Sequence, residues 1–475
     1  MTLPSPLLAQ IAGSDLEYAN QTVLHPAGLA AVLILGTVAL VVERRNAVLP
    51  FLLMACLIAP AQRLVVFGLD FNLIRIMVLF GWARVILRHE TSGFRWTRLD
   101  TVILSFAIVN TIVYTMQHAE VGALVNRLGA SFDTVGMYFL FRMLVRSLED
   151  LKQTVTWCAV AAVPVAVAFL IENRTGRNLF AFLGGVPQLT IVRDGRLRCQ
   201  GAFPHAILAG CFWASLVPLF VSMWWQPRWP GARLVAAGGT AMALLIIVLC
   251  ASSTPVLAVL AAMGGLAAYG LRWRMRAVRW MAFLSLCALH AVMNAPVWHL
   301  IARVSAVGGS TGWHRYNLID NFIRRWDEWI VLGTKSTGHW GYGMQDVTNQ
   351  YVLEGVRGGI LGLILFVAVI VVAFGRVGRL WQALPEGPER RFAWALGVSL
   401  FVHCVSFIGV SYFGQITMLW YLCLAAIGSA SVSLVEEAGL SRRRTSKRAT
   451  QRPSPGPGVA GKPGDVDEVL AGASM

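Results

Sequence analysis

Apolar runs long enough to cross a lipid bilayer recur from residue 27 to residue 435, and nothing else in the chain constrains its fold as much. A spanning helix needs about 17–25 predominantly apolar residues, because lipid offers no partner for an unpaired backbone N–H or C=O. The runs are continuous rather than alternating, which argues against a β-barrel. Composition agrees: 56% of the 475 residues are hydrophobic and 13% are charged, against roughly 25% charged in an ordinary soluble domain. Mean hydropathy is +0.63. The expectation is an all-α polytopic integral membrane protein of about thirteen transmembrane helices, give or take two.

The formal net charge of +16 raises the question of nucleic acid, but cytoplasmic loops of membrane proteins are themselves rich in Lys and Arg. We read no nucleic-acid partner. Residues 1–26 carry Asp15 and Glu17 but no Lys or Arg, and the first run, 27–42, ends in Glu43-Arg44-Arg45. Basic loops follow at Arg88–Arg98, Arg146–Lys152, Arg272–Arg279 and Arg376–Arg391. All fit one orientation, with the N-terminus outside and the C-terminus in the cytoplasm. The segments are then 1–26 outside, spans one to ten over 27–301 with an outside loop near 173–200, a large outside loop at 302–350, and spans eleven to thirteen over 351–435. Residues 436–475 are basic, then Pro/Gly-rich, and read as a disordered cytoplasmic tail. With no basic region before the first run, no cleavable signal peptide is expected. The eight cysteines are scattered and form no CxxC pair, so they read as small core hydrophobes.

Two polar clusters stand out. Arg193, Arg196, Arg198 and His205 gather at the mouth of span seven, in the stretch RCQGAFPH from Arg198 to His205. A guanidinium binds phosphate through paired, charge-assisted hydrogen bonds, or else anchors the loop to lipid headgroups. The second cluster fills Gly308–Gly362. Trp313, Trp326, Trp329 and Trp340 suit either an interfacial aromatic belt or stacking on sugar rings. Residues 318–331 place apolar side chains at helical spacing and predict an amphipathic helix on the membrane surface. His314 and Arg315 precede it; Lys335, His339, Asp346 and Asn349 follow. No HxxH, HExxH or DxD occurs, so neither a metal nor another cofactor is expected. Arg75 sits deeper in an apolar run than Arg84 or Arg142, which are placed to snorkel. Carboxylates within the runs are nearly absent, which speaks against an ion-coupled transporter.

Thr348 to Phe366 reads TNQYVLEGVRGGILGLILF. It resembles the segment of the O-antigen ligase and polymerase superfamily that begins His-Asn-x-Tyr and ends Gly-x-x-Gly-Leu-x-x-Phe. Asn349, Tyr351, Gly359, Gly362, Leu363 and Phe366 match, and RCQGAF resembles the family's Arg-x-x-Gly-x-Phe element. The resemblance covers roughly 198–374. Two positions depart from it: Thr348 stands where the family has His, and Ser252-Ser253-Thr254-Pro255 lacks an Arg that often follows Ser there. A polymerase, or another ligase-like transferase, fits better than ligation to lipid A core.

The resemblance implies a metal-independent, inverting glycosyl transfer on the periplasmic face of the bacterial inner membrane, in O-antigen, capsule or exopolysaccharide assembly. Its donor would be a glycan on undecaprenyl pyrophosphate. Membrane lipid and other polysaccharide-assembly proteins are the further partners implied. Arg198, Arg315 and Lys335 would bind the pyrophosphate, with Arg315 also acting in catalysis and His205, Trp313, His314 and Arg75 lining the substrate site. His339, or else Asp346, would be the base in place of the missing His, and Asn349 and Tyr351 would shape the acceptor side. The rival reading is a transporter or flippase of lipid-linked glycans.

Overall fold

The computed structural model describes residues 22–303 and 312–430. The N-terminal segment before residue 22, expected outside, the start of the large loop and the basic tail lie beyond the described residues. The protein is an all-α polytopic membrane protein. Among the described residues, seven helical stretches are long and apolar enough to cross a membrane, and Pro26–Val41 and Gln415–Ala430 are shorter apolar helices.

In chain order the first elements are α1 (Pro26–Val41), α2 (Leu49–Leu57), the hairpin β1 (Arg63–Val66) and β2 (Leu69–Asn72), and α3 (Leu73–Leu87). Then come α4 (Arg98–His118), α5 (Val121–Leu144), α6 (Leu148–Thr175), and the two-residue strands β3 (Val192–Arg193) and β4 (Arg196–Leu197). Next are α7 (Ala206–Met223), α8 (Ala232–Leu249), α9 (Ser253–Ala267), α10 (Met275–Val292) and α11 (Leu300–Arg303). The chain closes with α12 (Gly312–Arg324), α13 (Trp326–Trp329), α14 (Gln350–Ala383), α15 (Pro388–Gly409) and α16 (Gln415–Ala430).

Local chemistry sets the ends. Thr97 and Asp100 form a reciprocal capping box at the start of α4, Ser147 caps α6 by accepting from Asp150 N–H, and Asn349 caps α14 by accepting from Val352 N–H. Small residues set the packing. Gly210 of α7 lies against Pro255 of α9, where any side chain would collide, and Gly239 of α8 lies closely against Phe220 of α7. Close approach of this kind holds helices together in lipid, where apolar burial between helices gains little. By contrast α10 has no buried residue.

The helices reach further than the apolar runs, and this corrects two expectations. Carboxylates do lie inside them: Asp100, Asp133, Glu172 and Glu354. Each is held by partners, as buried charge requires. Nor do Arg84 and Arg142 snorkel. Arg84 is fully buried, paired with Glu90 at 2.7 Å and donating to the Ala39 and Val42 carbonyls. Arg142 binds Asp100 at 3.1 Å, Ser429 at 3.0 Å and the Arg95 carbonyl at 2.8 Å. Both fasten helices to one another on the face that also carries the Arg44–Asp150 pair.

Residues 312–349 form an arm with a core of their own. Leu318, Phe322, Trp329, Trp340 and Met344 pack with Val352 and Val356 of α14. Phe322 and Trp329 stack at 3.9 Å between ring centroids, and Trp329 Nε1 donates to the Phe322 carbonyl at 2.7 Å. The expected amphipathic helix over 318–331 therefore occurs as two pieces, α12 and α13, separated at Arg325. The tryptophans divide: Trp329 and Trp340 are buried, Trp313 and Trp326 exposed.

The arm is tied into α14 at a break. Gly359 takes φ +59°, ψ −163°, a conformation open essentially to glycine alone. The segment 330–334 lies in the gap. Ile360 N–H donates to the Ile330 carbonyl at 2.9 Å, and Thr334 N–H donates to the Val356 carbonyl at 2.9 Å. Gln117 of α4 adds a second bond to the Val356 carbonyl at 3.1 Å. Backbone groups freed by the kink are thus satisfied from outside the helix, as lipid demands.

Candidate functional site

Glu172, at the end of α6, orders the loop that carries the first arginines. Its carboxylate is fully buried. It accepts from Thr190 Oγ1 at 3.0 Å and from the backbone N–H groups of Gln200 and Gly201, each at 3.1 Å. Inside this loop Asp194 and Gly195 both have positive φ, +51° and +73°, which makes the β3–β4 connection a two-residue turn of the kind Asp-Gly favours. The turn sets Arg193 directly opposite Arg196. Like charges facing across a hairpin cost stability; both arginines are exposed, and Asp194 lies 3.8 Å from Arg193.

Arg198 follows β4. Its backbone N–H donates to the Ile191 carbonyl, and its side chain turns inward. The Nε atom is buried and has no hydrogen-bond partner. Arg315, in the first turns of α12, is 8% exposed and donates from Nε to the Gly409 carbonyl at 3.1 Å, at the last residue of α15. A cation there offsets the negative end of the helix dipole. Among the described residues no carboxylate is bonded to Arg198 or Arg315.

These side chains share one field. Burial lowers the Arg198 guanidinium from its ordinary range, and Arg193 adds to that. Burial likewise lowers Arg315, with Arg193 and Arg198 contributing. His205, the N-cap of α7, is pushed down to about 4 by burial and then by Arg198 and Arg193. It is neutral near pH 7. Its Nδ1 accepts from Ile207 N–H at 3.2 Å, so its proton sits on Nε2 and the ring offers a donor there.

The surroundings add positive potential and hydroxyls. Gly210 of α7 rests on Pro255 of α9, so the N-terminal ends of both helices lie side by side; such ends favour anions. Thr254 lies against Gly409, whose carbonyl Arg315 holds. The Thr254 hydroxyl is buried without a partner, and so is that of Thr348.

The other candidate residues lie as follows. Asp346 is close to His314, whose Nε2 is 3.2 Å from the Asp346 carbonyl oxygen. Partial desolvation raises the Asp346 carboxyl above its usual range, and His314 pulls it back. His339 points elsewhere: its Nε2 is 2.6 Å from Glu328 Oε2, and Trp340 Nε1 donates to the same oxygen at 2.7 Å. Trp340, then His339 and Arg325, hold Glu328 down at about 2. Lys335 is exposed on the arm, as is Trp313, which tilts against Tyr316. Asn349 donates to the Ile408 carbonyl at 3.1 Å, and Tyr351 OH donates to the Cys404 carbonyl at 3.1 Å. Both polar groups are engaged with α15. Arg75 is engaged too, bidentate with Asp133 at 2.9 Å and bonded to the Asp70 carbonyl.

Arg198 and Arg193 therefore lie within electrostatic range of His205 and of Arg315, from two distant stretches of chain, and Thr254 packs on the Gly409 whose carbonyl Arg315 holds. His339 and Arg75 are committed to other partners. His314 and Asp346 form a pair on the arm. Among the described residues, no group of three or more His, Cys, Asp or Glu is placed to hold a metal ion.

No family profile matches the chain, and no curated protein sequence does. Among solved structures, one chain of a peptidoglycan synthase complex, described as showing the structural coordination of polymerization and crosslinking, is similar over 72% of this chain and 99% of its own. Sequence identity is 14% and the TM-score 0.40, a likeness too distant to bear on function.

Proposed function

We propose that the protein is a glycosyltransferase of the polysaccharide polymerase or ligase-like kind, moving a glycan from undecaprenyl pyrophosphate to an acceptor hydroxyl. The observation that carries this is the convergence of Arg193, Arg198, His205 and Arg315 on the paired N-termini of α7 and α9, with a buried and unpartnered Arg198 Nε. Such a set suits a pyrophosphate at a membrane surface. The resemblance at 198–210 and 348–366 supports the same reading. The inner membrane, with the arm on the periplasmic side and the C-terminus in the cytoplasm, is the location it entails.

Arg198 and Arg315 bind the pyrophosphate, and the His205 Nε2–H donates to it. Asp346, beside His314, takes the acceptor proton; it is favoured over His339, which Glu328 engages. The acceptor oxygen attacks the anomeric carbon from the face opposite the pyrophosphate. The bond from that carbon to the phosphate oxygen breaks, and the carrier pyrophosphate leaves with the bonding pair. Arg315 and Arg198 stabilise the charge that develops there, and the anomeric centre inverts. Asn349 and Tyr351 hold α14 to α15 and so position the acceptor side. Trp313 and Lys335 flank the glycan.

In cells lacking the native gene, Arg198→Ala and Arg315→Ala are each expected to abolish long-chain glycan while the protein remains in the membrane at normal level. Lipid-linked units accumulate in their place. Glycan of normal length in both variants overturns the assignment.

A further inference from the structure

A second basic cluster lies within the helices and plays no part in the site above. Arg127 of α5 sits with its guanidinium 3.8 Å above the ring of Tyr114 on α4. Its Nε is buried and bonds to nothing. Arg357 of α14 lies within electrostatic range of Arg127, and both are within range of Glu354, one turn before Arg357. Glu354 is already engaged by Gln350 Nε2 at 2.7 Å and by Asn110 Nδ2 at 3.4 Å. Among the described residues neither guanidinium forms an ion pair within 4 Å of the Glu354 carboxylate, which neutral amides hold. One positive charge is left in excess.

Depth and surroundings say what would balance it. Arg127 is seven residues past Glu120, the N-cap of α5, hence roughly 10 Å along the helix at 1.5 Å per residue. Around it the helix surface is apolar and open: Leu128 is 55% exposed on α5, Ile112 52% and Met116 60% on α4. A free aqueous ion would have to cross that surface. A lipid arrives along it, carrying its phosphoryl group at headgroup depth. An uncompensated charge at this depth is costly and marks a partner. The arginine fork matches phosphoryl oxygens.

We propose that Arg127 and Arg357, at the junction of α4, α5 and α14, form a binding site for the phosphoryl headgroup of a membrane lipid, separate from the Arg198–Arg315 cluster. The site adjoins the kink: Val356, which precedes Arg357, gives its carbonyl to Thr334 of the arm and to Gln117 of α4. It also neighbours the other cluster through one amide. Gln350 donates to Glu354 and accepts from Tyr412 N–H at 2.6 Å, beyond the end of α15. The inference does not depend on the proposed reaction.

The test uses the full chain in neutral detergent, in an Arg198→Gln/Arg315→Gln background that removes the other cluster. Dioctanoyl phosphatidate is titrated calorimetrically, beside dioctanoylglycerol and inorganic phosphate. One phosphatidate site is expected, weakened at least tenfold by adding Arg127→Gln or Arg357→Gln, with neither comparator binding comparably. Equal affinity for dioctanoylglycerol overturns phosphoryl recognition, and equal affinity for inorganic phosphate overturns a lipid source. Loss of all binding in the background variant, with retention in Arg127→Gln and Arg357→Gln alone, places the lipid at the other cluster and overturns the proposal. Should a variant fail to fold, photoactivatable phosphatidate on the unaltered protein decides. Crosslinks in α4, α5 or α14 near these residues support the site; crosslinks confined to α7, α9 and α12 overturn it.

Discussion

At the scale of single residues, the informative quantity is which polar atoms are already spent. Arg75 and His339 attract attention in the sequence as isolated ionisable groups, yet Asp133 and Glu328 engage them. Arg198 keeps a free buried Nε. Pairing across tens or hundreds of residues leaves no mark in a linear reading, so spent and free groups look alike there. The turn Arg193-Asp194-Gly195-Arg196 did carry a readable signal, the Asp-Gly dipeptide. His205 yields a pH prediction. Its pKa in the free protein is about 4, and a bound anion favours the imidazolium, raising that value. Binding then takes up a proton, so affinity rises as pH falls toward about 4 and levels off below it. For a sulfate-headed lipid probe, whose own charge stays constant, the slope is at most about tenfold per pH unit for one proton. His205→Asn, which still caps α7, should flatten the profile; a variant as steep as the parent contradicts the role.

At the scale of elements, α14 is where sequence and structure agree in part. Its start at the Asn-x-Tyr segment and its glycines were legible. The break at Gly359 was not, because the partner that fills it, 330–334, looks in sequence like the end of an amphipathic helix. That helix is interrupted because Trp329 turns back to the Phe322 carbonyl and ring, a tertiary contact that outweighs helical periodicity. Gly359→Ala sets two costs at once, a backbone conformation that a Cβ disfavours by about 1–3 kcal/mol and overlap with the Val331 carbonyl. Hydrogen exchange at Thr334 and Ile360 should quicken in that variant. Gly375→Ala, where a Cβ meets open space, should leave both amides unchanged. Equal protection in the two variants would show that the strap is not held by the kink.

At the scale of the whole molecule, fold class follows from the apolar runs alone, since lipid admits few alternatives. Helix limits do not. Asp100, Glu172 and Glu354 lie in helical turns near the ends of their helices, where buried partners hold them. Orientation can be tested directly. Tyr342, on the arm, is fully exposed, and Trp273, at the basic end of α10, is 64% exposed. In a background with native cysteines replaced, an impermeant maleimide added to spheroplasts should label Tyr342→Cys and spare Trp273→Cys until the membrane is opened. The reverse pattern inverts the topology and removes the site from the periplasm.

The strap in α14 also bears on how the protein is made. Residues 330–334 leave the ribosome before 356–360, yet their bonds exist only once both are folded together. Were α14 to enter lipid already bent, the Ile360 N–H would stand unpaired in hydrocarbon, at several kcal/mol, and the Val356 carbonyl would keep only Gln117 of α4. A straight helix pairs them internally, and glycine at 359 permits helical as well as left-handed backbone. The expected course is therefore insertion through a straight α14. On that course the bend is acquired afterwards, when the arm folds onto it, and the membrane helix is completed by a segment that comes from the water side.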